Sequence, residues 1–331
     1  MCPGTGSLER ERFVLHDTLF ALGENLMLRN KFQTAALIGA ALASVTIGSA
    51  QAPKGGGKGA APPPPPQKIM QIKPDLYVVT GAGGNSTVRV TKDGIILVDT
   101  KNLGENFYNE LIAQIKTVSD KPVKEVIVTH VHQDHSGNTG RFIAAGAHVT
   151  ANEGEKAEVA TYTSAAGKPD APSVTYADKT VIKLGGAKAE VYHFGNGHTG
   201  GDSMVYFPDL KVLCGGDAVV GAQPNFDYPN GGSLLGEQKE LSKAAKLKFD
   251  TVVPGHSGQA SVTLTRADFD AYKMKIDTLV TRFKEQIKAG TPKDQILAKV
   301  KTDDLGWNVN TAQWQAPARL DPLYDEFSKA K

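Results

Sequence analysis

The sequence predicts a mixed α/β fold in which two β-sheets face one another and helices cover their outer sides. Three observations carry this prediction. Short β-rich runs fall into two separate blocks, each block leads into a mixed α/β stretch, and the chain closes with a run of helices. The strict strand–helix alternation of a parallel sheet is not kept, and no short-period repeat is present.

The first block holds β-rich runs at 76–80, 86–91 and 95–99. Gly81, Gly83, Gly84 and the Asp93-Gly94 pair punctuate them, which reads as hairpins. Residues 106–118 form an amphipathic helix with Phe107, Leu111, Ile112 and Ile115 on one face. A strand at 123–128 leads straight into Thr129-His130; 140–145 reads as helical, 148–150 as extended and 153–161 as helical. The second block has strands at 181–184, 189–194, 203–207 and 212–213. A helix at 233–246 follows, with Ser233 as its N-cap and Glu237 in its first turn. A short strand at 251–253 ends at Pro254-Gly255-His256, and helices occupy 266–288, 293–300 and 320–330.

The 331 residues are 40% hydrophobic, enough for a packed core, and the formal net charge is only +2. No stretch combines dense Lys/Arg with interleaved aromatics, so nucleic acid is not the expected partner and a small molecule is. Two cysteines, Cys2 and Cys214, exclude a disulfide framework and a Cys-rich zinc finger. Cys214 sits at an apolar strand end and reads as a small core residue.

The N-terminal part reads as address and tether. Arg29 and Lys31 precede an apolar run at 32–47, and Ala50-Gln51-Ala52 supplies the small residues of a cleavage region. Residues 27–52 are therefore a signal peptide starting at Met27, and 1–26 an over-long start, with an uncleaved anchor as the alternative. The apolar run is too short and Ala-rich for a firm membrane span. The Pro/Gly-rich stretch 53–67 is a linker, and 68–331 form one domain. This order places the mature protein in the periplasm or outside the cell.

The strongest chemical signal is His130-Val131-His132-Gln133-Asp134-His135, which gathers three of the eight histidines into six positions. Neutral imidazoles and a carboxylate suit zinc at neutral pH. One run cannot enclose two metals, so further ligands must come from later strand ends. His198, Asp217 and His256 each sit in a glycine-rich turn after a short apolar strand, where backbone can pass close to an ion. His148 and His193 lie within strands and read as structural.

In these motifs, taken in order as Asp99, the run 130–135, His198, Asp217 and His256, the chain resembles the metallo-β-lactamase superfamily. The resemblance implies a four-layer αββα sandwich with metals at the edge between the two sheets. It implies two Zn2+ per chain, with Fe or Mn as alternative metals. His130, His132 and His198 resemble the ligands of the first metal, and Asp134, His135 and His256 those of the second; Asp217 resembles a bridging carboxylate. Asp99 resembles an aspartate that supports the ligand loop through hydrogen bonds without touching metal. Asp134 would be the catalytic residue that orients a metal-bridging hydroxide.

The implied activity is zinc-dependent hydrolysis of a small ester, lactone or amide. Asp217, where one group of true metallo-β-lactamases has cysteine, favours relatives acting on other substrates, while export favours a β-lactamase. A mononuclear iron oxygenase of the persulfide dioxygenase type is a further alternative; it would use only the first ligand set and Asp217. Phe226 and Tyr228, between Asp217 and the helix at 233, are candidate substrate-pocket residues.

Overall fold

The computed structural model describes residues 63–220, 222–257 and 261–330. The expected start, signal peptide and most of the linker lie outside the described residues. Seven strands make the first sheet, ordered in space as in sequence: β1 (Lys68–Lys73), β2 (Leu76–Thr80), β3 (Ser86–Val90), β4 (Ile95–Val98), β5 (Val123–Ile127), β6 (His148–Asn152) and β7 (Val174–Tyr176). β1 to β4 are antiparallel hairpin neighbours, and β4 to β7 pair in parallel. The second sheet runs β8 (Lys179–Leu184), β9 (Ala187–Tyr192), β10 (Met204–Phe207), β11 (Val212–Gly216), β12 (Thr251–Pro254) and β13 (Leu264–Thr265), again in sequence order.

Side-chain alternation decides which layer each residue joins. Along β4, Ile96 and Val98 enter the core between the sheets, and Ile95 and Leu97 face the opposite way. β10 and β11 repeat the pattern: Val205, Phe207, Val212 and Cys214 meet the first sheet, while Met204, Tyr206 and Leu213 join the helical layer. All of these are buried because both faces of each sheet are covered.

Helices α1 (Glu105–Lys116), α2 (Gln133–Ser136), α3 (Thr139–Ala144) and α4 (Glu153–Thr161) belong to the first half of the chain, with Leu111 and Ile115 of α1 buried against the first sheet. α5 (Leu234–Ala244), α6 (Arg266–Lys288), α7 (Lys293–Lys299), α8 (Ala312–Gln315) and α9 (Pro317–Lys329) follow, and the second outer core is built from Leu241, Phe269, Ile276, Phe283, Leu297 and Phe327. The order of layers is α/β/β/α. α5 starts as expected at Ser233, whose side chain accepts from the Gly236 amide. α6 carries a full capping box between Thr265 and Asp268.

Three strands escape the sequence reading: β1, β7 and β13, of which the last two span three residues or fewer. β1 is an edge strand with a mostly exposed face, so its apolar alternation is weak. The tether expected to run to Gln67 is anchored before its end. The Pro65 carbonyl accepts from the Ala82 amide, and Gln67 is buried with its own amide donating to Glu110.

Candidate metal centre

β5 and β11 are the first-sheet and second-sheet strands whose C-terminal ends deliver most of the chemistry. Past β5 the chain turns through His130 and His132 into the short α2, which carries Asp134 and His135. Asp217 follows β11 directly, His256 follows β12, and His198 sits in the connection between β9 and β10. Two ligand groups result. His130, His132, His198 and Asp217 each offer one atom within 4.8 Å of the others, and so do Asp134, His135 and His256.

Asp217 lies between the groups. Its Oδ1 is 3.2 Å from His135 Nε2, and its Oδ2 is 3.5 Å from His256 Nε2 and 3.6 Å from His198 Nε2. Asp134 Oδ2 stands 3.3 Å from His256 Nε2 and 3.8 Å from His135 Nε2.

The outer partners of the rings set which nitrogen faces inward. His198 Nδ1 donates to the Asn225 carbonyl, which can only accept, so the neutral ring's lone pair is on Nε2. His132 Nε2 donates to Asp227 at 2.7 Å, leaving Nδ1 for the centre. His135 Nδ1 donates to Asp99 Oδ2 at 2.8 Å. The Thr129 hydroxyl also donates to Asp99 Oδ2 at 2.8 Å, so its oxygen accepts from His130 Nδ1 at 3.0 Å. In all four rings an outer partner holds one N–H and turns the other nitrogen toward the centre, which is the orientation metal ligation requires.

Among the described residues, two buried atoms inside the cluster make no hydrogen bond: His130 Nε2 and Asp217 Oδ1. Buried polar groups are seldom left this way, and a cation at the centre would satisfy both. The donor set therefore fits a pair of divalent metals. Charge tells the same story. Burial, followed by the neighbouring imidazoles of His135 and His198, holds His130 well below its ordinary pKa, so it is neutral. Burial opposes protonation of His135 and His256 as well, yet the carboxylates of Asp217 and Asp134 pull His135 well up and His256 up to about 9. Burial works against ionising Asp217 and Asp134, and the adjacent imidazoles overcome it and hold both carboxyls low. The second group thus collects positive charge where its carboxylates demand it.

Close backbone approach is needed at two places. A Cβ on Gly84 would lie 2.1 Å from His135 Cε1, and one on Gly255 would lie 1.9 Å from Asp217 Oδ1. The Gly84 loop is held by Lys101, a fully buried lysine whose ammonium donates to the carbonyls of Val79 and Gly84 at 2.5 and 2.6 Å. Burial lowers its pKa to about 7. Asp99 and Lys101 both have left-handed backbone, φ 63° and 69°, and the turn they form carries both side chains into the interior.

Every ligand expected from sequence lies in one of the two groups, and Asp99 lies behind them with the Thr129 amide, the Thr129 hydroxyl and His135 as its donors. The expectation for Phe226 and Tyr228 needs correction. Phe226 is 1% exposed and packs edge-on to Trp314 in the helical core, and Tyr228 turns its hydroxyl to Glu326 on α9. Asp227 meets the centre through its carboxylate and Asn225 through its backbone carbonyl, and neither contact is foreseen from the sequence. No local signal marks either: a backbone carbonyl carries no residue-type information, and Asp227 meets His132 across 95 residues. His193 and His148 stand apart: His193 donates to the Asp202 carbonyl and His148 is exposed beside Glu125.

The side chains of His256 (45% exposed), Asp134 (27%) and Asp227 (21%) mark where the centre opens to solvent. Cys214 is buried in the inter-sheet core beside Thr87, and burial pushes its thiol up to about 12, so it is neither ligand nor nucleophile.

Comparison with known proteins agrees with this geometry. Residues 79–256 match the family model described as the metallo-beta-lactamase superfamily. The chain is 31% identical over 202 residues to a metallo-beta-lactamase type 2 of Bacillus cereus, an overlap of 57% of this chain and 75% of that one. It is 30% identical over 157 residues to one from Elizabethkingia meningoseptica, covering 45% and 61%. Among solved structures, a metallo-beta-lactamase from Pontibacter korlensis shares the fold with a TM-score of 0.56 and 24% identity, over 64% of this chain and 99% of that one. The sec-alkylsulfatase Pisa1 from Pseudomonas sp. superposes with a TM-score of 0.58 at 19% identity, over 71% of this chain and 45% of its own.

Proposed function

Since the chain belongs to the metallo-beta-lactamase superfamily, we propose that it is a binuclear zinc hydrolase that cleaves a small ester, lactone or amide. The observation that carries this reading is the double ligand group with Asp217 between its halves and the rings of His132, His135 and His198 oriented by outer partners. Bound there, two Zn2+ would supply Lewis acidity to a scissile carbonyl and to water at neutral pH.

The chain's own residues do the rest. Asp134 is held ionised against its burial by His135 and His256, and its carboxylate lies at the open side of the centre. It can accept a hydrogen bond from an attacking water or hydroxide and orient it. Asp217 spans both groups and fixes their separation. Asp99 and Asp227 each hold an outer ring N–H, so the inward nitrogens of His135 and His132 need no reorientation. No serine or cysteine nucleophile is required, and Cys214 is unavailable for one.

A β-lactam is the amide favoured for the first assay, because curated relatives are metallo-beta-lactamases. The iron oxygenase alternative needs only the first group and Asp217, and the assembled Asp134–His135–His256 group speaks for two metals. Export is part of the proposal and rests on residues 27–52. Among the described residues, no helix is long and apolar enough to cross a membrane. The test is steady-state hydrolysis of nitrocefin, a homoserine lactone and a thioester by zinc-loaded protein. Zinc-dependent turnover of at least one is expected; none on any of them, or one iron per chain on metal analysis, would overturn the reading.

A further inference from the structure

α9 lies outside residues 79–256, yet it reaches the metal centre through one loop. That loop, 225–232, supplies the outer partner of two first-group histidines: the Asn225 carbonyl for His198 and Asp227 for His132. Its own secondary structure among these residues is a single 3-10 turn at Tyr228–Asn230. A segment so short needs anchors elsewhere to hold two imidazoles in place.

Backbone bonds tie the loop to His198 and Gly200, and α9 adds an anchor at each end. The Tyr228 hydroxyl donates to Glu326 Oε2 at 2.7 Å, the Leu235 amide donates to Glu326 Oε1 at 3.0 Å, and the Ser233 hydroxyl donates to the same oxygen. Leu235 is in the first turn of α5, where the amides have no intrahelical acceptor and the helix dipole favours a negative charge. Glu326 therefore completes the α5 cap that Ser233 begins on Gly236, and pins the downstream end of the loop. At the upstream end, Arg319 Nη2 donates to Asn225 Oδ1. Its guanidinium lies 5.5 Å from the Trp314 ring centre, and Trp314 packs on Phe226. Arg319 and Glu326 are spaced so as to share a face of α9.

We propose that α9 is a clamp for the first metal group, with Glu326 and Arg319 as positioning residues that act through the 225–232 loop on His198 and His132. This rests on the reading of the centre as a metal site. Among the described residues the second group has no such tie: His135 is held by Asp99, and His256 by Asp134 and Asp217. Disturbing α9 thus weakens one group and spares the other.

The test measures zinc affinity of the full chain by competition with a chromophoric chelator, in two backgrounds. His256→Ala leaves the first group to be read, and His130→Ala leaves the second. Adding Glu326→Leu should weaken zinc about tenfold in the His256→Ala background, the lower end of the range for loss of a ligand's outer support, and less than twofold in the other. Tyr228→Phe keeps the ring and removes one donor, and should shift affinity the same way by less; it decides the matter if Glu326→Leu does not fold. Amide exchange at Asp227 and Gly232, which donate to His198 and Asp227 carbonyls, should quicken in both variants. Equal losses in both backgrounds, or none in either, would overturn the clamp while leaving the metal reading standing. A wild-type chain that binds no zinc would overturn both.

Discussion

Asp99→Asn is the substitution that most directly tests how the centre is built. Asp99 receives three hydrogen bonds: the Thr129 amide at Oδ1, and the Thr129 hydroxyl and His135 Nδ1 at Oδ2, all at 2.8 Å. An asparagine fits the same space. The Thr129 amide demands an acceptor, so the carboxamide oxygen must stay at the Oδ1 position and the NH2 must face His135. That NH2 donates to Nδ1 and moves the imidazole proton to Nε2, the nitrogen that faces Asp217 and His256. Through Thr129 the change also reaches His130, because the hydroxyl loses its acceptor and turns its own proton toward Nδ1. Loss of such outer support costs 10–100-fold in metal affinity, about 1.4–2.7 kcal/mol. On the metal-free fold the change costs about 1–3 kcal/mol, for a buried hydrogen bond left badly paired. Chelator competition on both equivalents of zinc, beside denaturant unfolding of the metal-free chain, reads the two effects separately. Zinc binding indistinguishable from wild type would refute the tautomer argument; an Asp99→Asn chain that loses stability and metal in proportion would reduce Asp99 to a packing residue.

Other outcomes follow from the same geometry. Gly84→Ala drives a methyl into the His135 ring, which is fully buried and has nowhere to go, so overpacking of about 1–3 kcal/mol and loss of the second zinc equivalent are expected from unfolding and metal titrations. Phe226→Ala opens a cavity beside Trp314 and should cost about 3–5 kcal/mol in denaturant unfolding, whereas Phe226→Leu should leave KM for any substrate unchanged. Cys214 should resist thiol reagents at pH 8 in the folded chain and react once unfolded. With its folded pKa raised to about 12, the neutral thiol's contribution is intact below the unfolded value near 9 and declines as pH rises from there toward 12.

The sequence was informative wherever one short stretch of chain carries its own signal. The candidate ligands are legible because the run 130–135 concentrates four of them and His198, Asp217 and His256 each sit in a glycine-rich turn at a strand end. The layers are legible because alternation along β4, β10 and β11 sorts side chains between two cores. Such signals depend on the backbone's period and on what a turn permits, both local properties.

What only the tertiary structure decided is the support behind the ligands. Asp227 meets His132 across 95 residues and Glu326 meets Ser233 across 93, and no local pattern marks either pairing. Phe226 and Tyr228 show the same limit from the other side: an aromatic beside a site can face substrate or core, and here Trp314 and Glu326, both near the C-terminus, take them inward. Ligand identity is written in residue type and spacing, whereas ring orientation depends on which distant acceptor packing brings to the outer nitrogen.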